Sequence, residues 1–165
     1  KEFIIDKMPF NFFYVGFILN SIPEAKIIHM HRNPMAICWS NYKANFFDNI
    51  GMDYAHKLET IGEFYVIYNE TMKFWNEIYP NSLIEVDYDN FVMDYASGSK
   101  SIIKDIGLNW EEKILKFHEN SRAVETNSLL QVRDRVYQNS SKNWKKYEKY
   151  LTPVMEILKN NNIKF

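Results

Sequence analysis

The sequence holds 165 residues, 46% apolar and 16% aromatic, enough for one sizeable core and read as a single globular domain over 1–165. Twenty basic against twenty-one acidic side chains leave a formal charge of −1, which excludes a global field drawing in nucleic acid or an anionic membrane, so any anion site is local. The lone Cys38 excludes an internal disulfide framework or a zinc cluster built on several cysteines, and no apolar run reaches the roughly 18 residues of a membrane span.

In chain order, "FIID" (3–6) is short, apolar and β-branched and reads as a first strand. "FNFFYVGFILNSI" follows Pro9, apolar nearly all round, and predicts a buried crossover helix with Asn11 as its cap. "KIIHMH" (26–31) predicts a second strand, and 34–47 and 53–79 are helical. In the latter, Tyr54, Leu58, Ile61, Tyr65, Tyr68, Met72 and Trp75 recur at spacings of four and three, a stripe that faces a core. After the Pro80-Asn81 turn signal, "SLIEVDY" (82–88) alternates as a third strand. Helices are predicted at about 91–105 and 111–119 and from 140 onward, where Pro153 splits the last segment in two. Strands alternating with helices specify an α/β class, a short parallel sheet covered on both faces.

Ligands of such sheets bind outside the carboxyl ends of the strands, where helix N-termini converge. The polar residues there are Asp6 and Lys7, His31 and Arg32, and Asp87 and Tyr88. Two cations and a phenol suit an anion. Arg32 is the sharpest of them: Asn33 can cap the next helix and Pro34 suits its first position, so the guanidinium stands beside free N–H groups. Its fork matches a phosphate; the alternative is a structural bridge to Asp6 or Asp87. By residue type alone, Lys7 reads as a surface lysine paired with Asp6, Ser40 as a helix serine facing water, and Tyr88 as a cap on the core edge. His29 and His31 share a strand face, but no third metal ligand accompanies them, so both read as structural and no metal is expected. In "SSKNWKKYEKY" the lysines form a solvated face and Trp144, Tyr147 and Leu151 the buried stripe.

The ordered set "DKMPFNF", "IIHMHRNP", Ser40 eight residues after Arg32, and "QVRDRVYQNSSKNWKKYEKYL" resembles the sulfotransferases that use 3′-phosphoadenosine-5′-phosphosulfate (PAPS). More narrowly, it is similar to the tyrosylprotein sulfotransferases and their bacterial relatives linked to tetratricopeptide repeats, over residues 2 to about 158. The resemblance implies a P-loop-like three-layer α/β fold, PAPS as donor and adenosine 3′,5′-bisphosphate as product. It implies that Arg32 and Ser40 grip the 3′-phosphate, that Lys7 lies near the bridging oxygen and sulfuryl group, and that Tyr88 lies near the adenine. Ser128, Gln131, Val132 and Arg133 would belong to a late loop closing over the nucleotide, Ser128 nearest the transferred group. The implied partner is an acceptor, a peptide tyrosine or a small alcohol, with an upstream repeat region and a homodimer as further expectations.

Two departures qualify it. The Gly/Ser/Thr-rich 5′-phosphosulfate loop and the glutamate base of the tyrosylprotein branch are not found; both are expected before Lys1, so the chain is expected to be the C-terminal part of a catalytic domain, inactive alone. At Asn143, where the family often carries a basic residue, Lys142 is the expected substitute. Small-molecule sulfotransferases share the arginine–serine spacing but place a catalytic histidine two residues after the lysine; here Pro9 stands there. Two other classes stay open: a non-catalytic nucleotide-binding or interaction domain, and a nucleoside-phosphate kinase, for which no acidic cluster is placed to hold magnesium. The compartment is also open: cytoplasm for a bacterial chain, to which the Asn/Lys/Ile-rich composition points, or Golgi lumen for an animal-like one.

Overall fold

The computed structural model describes residues 3–44, 46, 51–119 and 140–165. Two strands, β1 (Ile27–His31) and β2 (Leu83–Asp87), pair in parallel, with Ile27 opposite Leu83 and His31 opposite Asp87. A parallel pair needs a long crossover, and helices α2 (Pro34–Ala44) and α3 (Leu58–Ile78) supply it, with a 3₁₀ turn at Asp53–His56 between them. Helix α1 (Val15–Ser21) precedes β1 and is entered through a 3₁₀ segment, Pro9–Tyr14. After β2 come α4 (Tyr88–Met93), α5 (Tyr95–Asp105), 3₁₀ segments Glu112–Glu119 and Ser140–Tyr150, and α6 (Thr152–Asn160). The α/β class stands. No helix among the described residues is long and apolar enough to cross a membrane.

The main core lies between α2, α3, α6 and the 140–150 segment, where Met35, Val154 and Leu158 are fully buried and Ile61 and Leu151 nearly so. The predicted stripe of α3 faces this core and a second cluster under the sheet, built on Val15, Met72 and Leu83. A Cβ at Gly62 would meet Ile157 of α6 at 3.1 Å, so the missing side chain lets the two helices approach closely. Pro153 divides the last two helices as expected, opening α6. The segment before it is 3₁₀ in form, with Trp144 buried; Tyr147, expected in the core, is 43% exposed and stacks on Trp39 at 4.5 Å.

Other expectations are corrected. Residues 3–6 join no sheet: Phe3, Ile4 and Ile5 are 61%, 92% and 91% exposed, and among the described residues β1 and β2 form a two-stranded pair. An apolar β-branched run states a demand for burial, but a strand also needs a neighbour to pair with. For the same reason the sheet is unevenly covered. Helices α1 and α3 pack on the Ile27 and Leu83 face, while Ile28 and Met30 on the other remain 43% and 45% exposed. Helix α1 buries Val15 and Gly16 but leaves Phe17 exposed. Asn11 caps nothing; it sits inside the first 3₁₀ segment and donates to Asp6 at 2.7 Å. The helix expected at 91–105 is two helices starting earlier, because Asp87 and Asp94 each accept the backbone N–H three residues on, at 2.8 and 3.2 Å, and so cap α4 and α5.

Candidate functional site

The carboxyl ends of β1 and β2 lie side by side, and each runs directly into a capped helix. Asn33 Oδ1 accepts the Ala36 N–H at 3.0 Å and Pro34 opens α2, as expected. Arg32 is thereby held one residue before a helix whose first N–H groups point outward. On the β2 side Asp87 caps α4, whose first two residues are Tyr88 and Asp89.

Arg32 is engaged from two elements, the 140–150 segment and α4. Its Nε donates to Ser141 Oγ at 2.5 Å and its Nη2 to Ser140 Oγ at 2.6 Å. Ser141 in turn donates to Asp89 Oδ1, which stands 3.9 Å from Arg32 Nε. The Tyr88 ring lies under the guanidinium, 4.6 Å from centroid to Cζ, a favourable cation–π arrangement. The side chain is 18% exposed. The carboxylate beside Arg32 is therefore Asp89, and neither Asp6, which bonds Asn11, nor Asp87, which caps α4 and faces His31 at 3.8 Å, takes that place.

The structure thus brings Arg32 and Tyr88 together. Ser40 lies on the exposed surface of α2, about two turns beyond Arg32. Lys7 is exposed in the irregular stretch before the first 3₁₀ segment, and no ion pair joins it to Asp6. Lys142 is exposed beside Ser141. Ser128, Gln131, Val132 and Arg133 lie outside the described residues. Asn143 lines a cleft of 230 Å³ with Trp39, Lys43, Lys146 and Tyr147. In a 3₁₀ segment residues three apart eclipse, so Lys146, not Lys142, shares the Asn143 side and brings positive charge to it. A second cleft, of 330 Å³, lies between β2, α4 and α5 and carries Asp87, Asp94 and Asp105, the wrong sign for a phosphate.

Behind the strand ends, His29 is bonded on both sides, to Glu85 Oε2 at 2.6 Å and to Tyr68 Oη at 2.5 Å. Both ring nitrogens of His29 are thereby occupied. Burial pushes the His29 pKa below its ordinary 6.5; Glu85 opposes this shift and His31 adds to it. Burial also pushes the Tyr68 phenol up to about 12 and the Cys38 thiol up to about 12, so both stay protonated at neutral pH. Because the unfolded chain takes up the His29 proton at higher pH than the folded one, the His29 contribution to stability is fully present above pH 6.5 and is lost as pH falls from there through the lower folded value. Urea unfolding between pH 7.5 and 5 should show stability dropping with acid, and His29→Gln should flatten that drop. Equal slopes for wild type and variant would contradict the assignment.

The family model described as the sulfotransferase family matches residues 1–112. The chain is also 38% identical over 156 residues to an uncharacterized protein of Aquifex aeolicus (strain VF5), a match covering 94% of this chain and 20% of the relative. The chain therefore spans about a fifth of the length of that relative.

Proposed function

The chain belongs to the sulfotransferase family, and from that premise we propose that it carries the 3′-phosphate half of a PAPS site and serves transfer of a sulfuryl group to a hydroxyl acceptor, a peptide tyrosine or another alcohol. The family generally uses PAPS as sulfate donor. The observation that carries the reading is Arg32: a three-sided, mostly buried guanidinium at a strand end, over an aromatic ring and beside a capped helix N-terminus. Such a fork suits a dianionic phosphate, and the adjacent Tyr88 ring suits a nucleoside.

PAPS, when bound, supplies the sulfuryl group. The chain's own residues do the rest by placement and charge, which carry most of the catalysis in transfers of this kind. Arg32 and Ser40 hold the 3′-phosphate, and Lys7, exposed and free to reach inward, stabilises charge on the departing 5′-phosphate. By the same resemblance Ser128, Gln131, Val132 and Arg133 close over the nucleotide. Lys43 and Lys146 extend the positive surface on the Asn143 side. The base that takes the acceptor's proton is read as a carboxylate or histidine supplied from outside this constellation. Pro9, in place of the histidine of small-molecule enzymes, supports the tyrosylprotein-like branch.

Calorimetric titration with adenosine 3′,5′-bisphosphate, with 5′-AMP as control, tests the nucleotide reading. The bisphosphate should bind and 5′-AMP should bind far more weakly; equal affinities would remove the 3′-phosphate site. In the complete catalytic domain, Lys7→Ala should lower kcat more than it weakens nucleotide binding, since charge on the leaving group is greatest in the transition state. Equal losses in both would count against that role.

A further inference from the structure

We propose that Ser140 and Ser141 are positioning residues of the anion site, holding the Arg32 fork in its binding orientation before a phosphate arrives. The proposal rests on the nucleotide reading above and deepens it. The two consecutive hydroxyls take two different donors of one guanidinium, Ser141 the Nε–H and Ser140 an Nη2–H. Two such bonds fix both the direction of the side chain and the rotation of its plane, and the Tyr88 ring under that plane removes the remaining freedom.

The roles of the hydroxyls are determined. A serine hydroxyl has one proton to donate and two lone pairs. Ser141 gives its proton to Asp89, so what it offers Arg32 is a lone pair. At 3.9 Å, Asp89 is beyond hydrogen-bond distance of Arg32 Nε, and its hydrogen-bonding influence on the arginine passes through Ser141. A direct carboxylate fork would have set a full negative charge at contact distance from the guanidinium. The serine relay orients the guanidinium and, among the described residues, leaves Nη1 without a hydrogen bond. Preorganisation of this kind raises affinity by reducing what must be ordered on binding. The same bonds tie the 140–150 segment to the ends of β1 and β2, so the correct return of the chain at Ser140 is coupled to a competent Arg32.

A merely structural pin would make a different prediction. Removing it would loosen the fold and weaken every nucleotide alike, whereas removing a positioning residue erodes the preference for the 3′-phosphate in particular. The test is calorimetric titration of the 165-residue chain and its variants with adenosine 3′,5′-bisphosphate and 5′-AMP, with thermal unfolding followed by circular dichroism. Ser141→Ala should weaken bisphosphate binding about tenfold, the size of one hydrogen bond to a charged group, while changing 5′-AMP binding less than about twofold. Ser141→Thr, which keeps the hydroxyl, should restore the preference. Ser140→Ala should show the same pattern to a smaller degree, and it carries the test if Ser141→Ala does not fold.

A wild type that prefers the bisphosphate together with serine variants that keep the full preference, or that lose both nucleotides equally, would overturn the positioning role and leave the nucleotide reading intact. A folded wild type with no preference for the 3′-phosphate would overturn both.

Discussion

Arg32→Ala is expected to weaken binding of adenosine 3′,5′-bisphosphate by about 3 kcal/mol, roughly a hundredfold, the upper range for hydrogen bonds to charged groups. The upper range applies because the side chain is 18% exposed and its direct hydrogen-bond partners are neutral hydroxyls, with the Asp89 carboxylate 3.9 Å from Nε, so a phosphate meets a charge that water screens poorly. Arg32→Lys should recover little of the loss, since an ammonium cannot reproduce two edges of a planar fork or the stacking on Tyr88. Calorimetry on variants whose circular dichroism matches the wild type decides the matter. A loss below about twofold would show that Arg32 is a structural link between β1, α4 and the 140–150 segment.

The second large effect is on stability. Trp144→Ala should cost about 3–5 kcal/mol, as for other large aromatic truncations in cores. Trp144 is 5% exposed within the cluster that contains Met35, Leu151 and Leu158, and it meets Phe165 edge-on at 6.2 Å. Truncation to alanine leaves a cavity among these residues, which adds to the lost burial. Against a total of about 5–15 kcal/mol for a domain of this kind, such a loss is a large share. It also releases the segment that carries Ser140 and Ser141, so nucleotide binding should fall with it. Urea unfolding at neutral pH checks the size, and a midpoint change equivalent to less than about 1 kcal/mol would show that the 140–150 segment adds little to the core.

Local signals made much of this legible. Asn33-Pro34 after an apolar run specified a capped helix and put Arg32 at its corner, and the three-four spacing on α3 named its buried residues. Tyr88, selected for its place after β2, does meet Arg32. The other partners were not legible because they depend on long-range return of the chain. Ser141 is 109 residues from Arg32 in sequence, and within "SSKNWKKYEKY" it read only as part of a solvated helix. Asp89 was hidden by the helix start, placed at 91 when the helix begins at Tyr88 with Asp87 as its cap; an aspartate at the strand end was the overlooked N-cap signal. The strand expected at 3–6 failed for the opposite reason: its composition was right, but among the described residues no strand pairs with it.

The most direct measurement is phosphorus NMR of adenosine 3′,5′-bisphosphate titrated with the chain, because the two phosphates give separate resonances. The 3′-phosphate resonance should shift on binding to the wild type, and the shift should disappear with Arg32→Ala. A 3′-phosphate resonance that does not move with a folded chain, or that moves equally with Arg32→Ala, would contradict the assignment of this strand-end arginine as the phosphate clamp of a sulfotransferase.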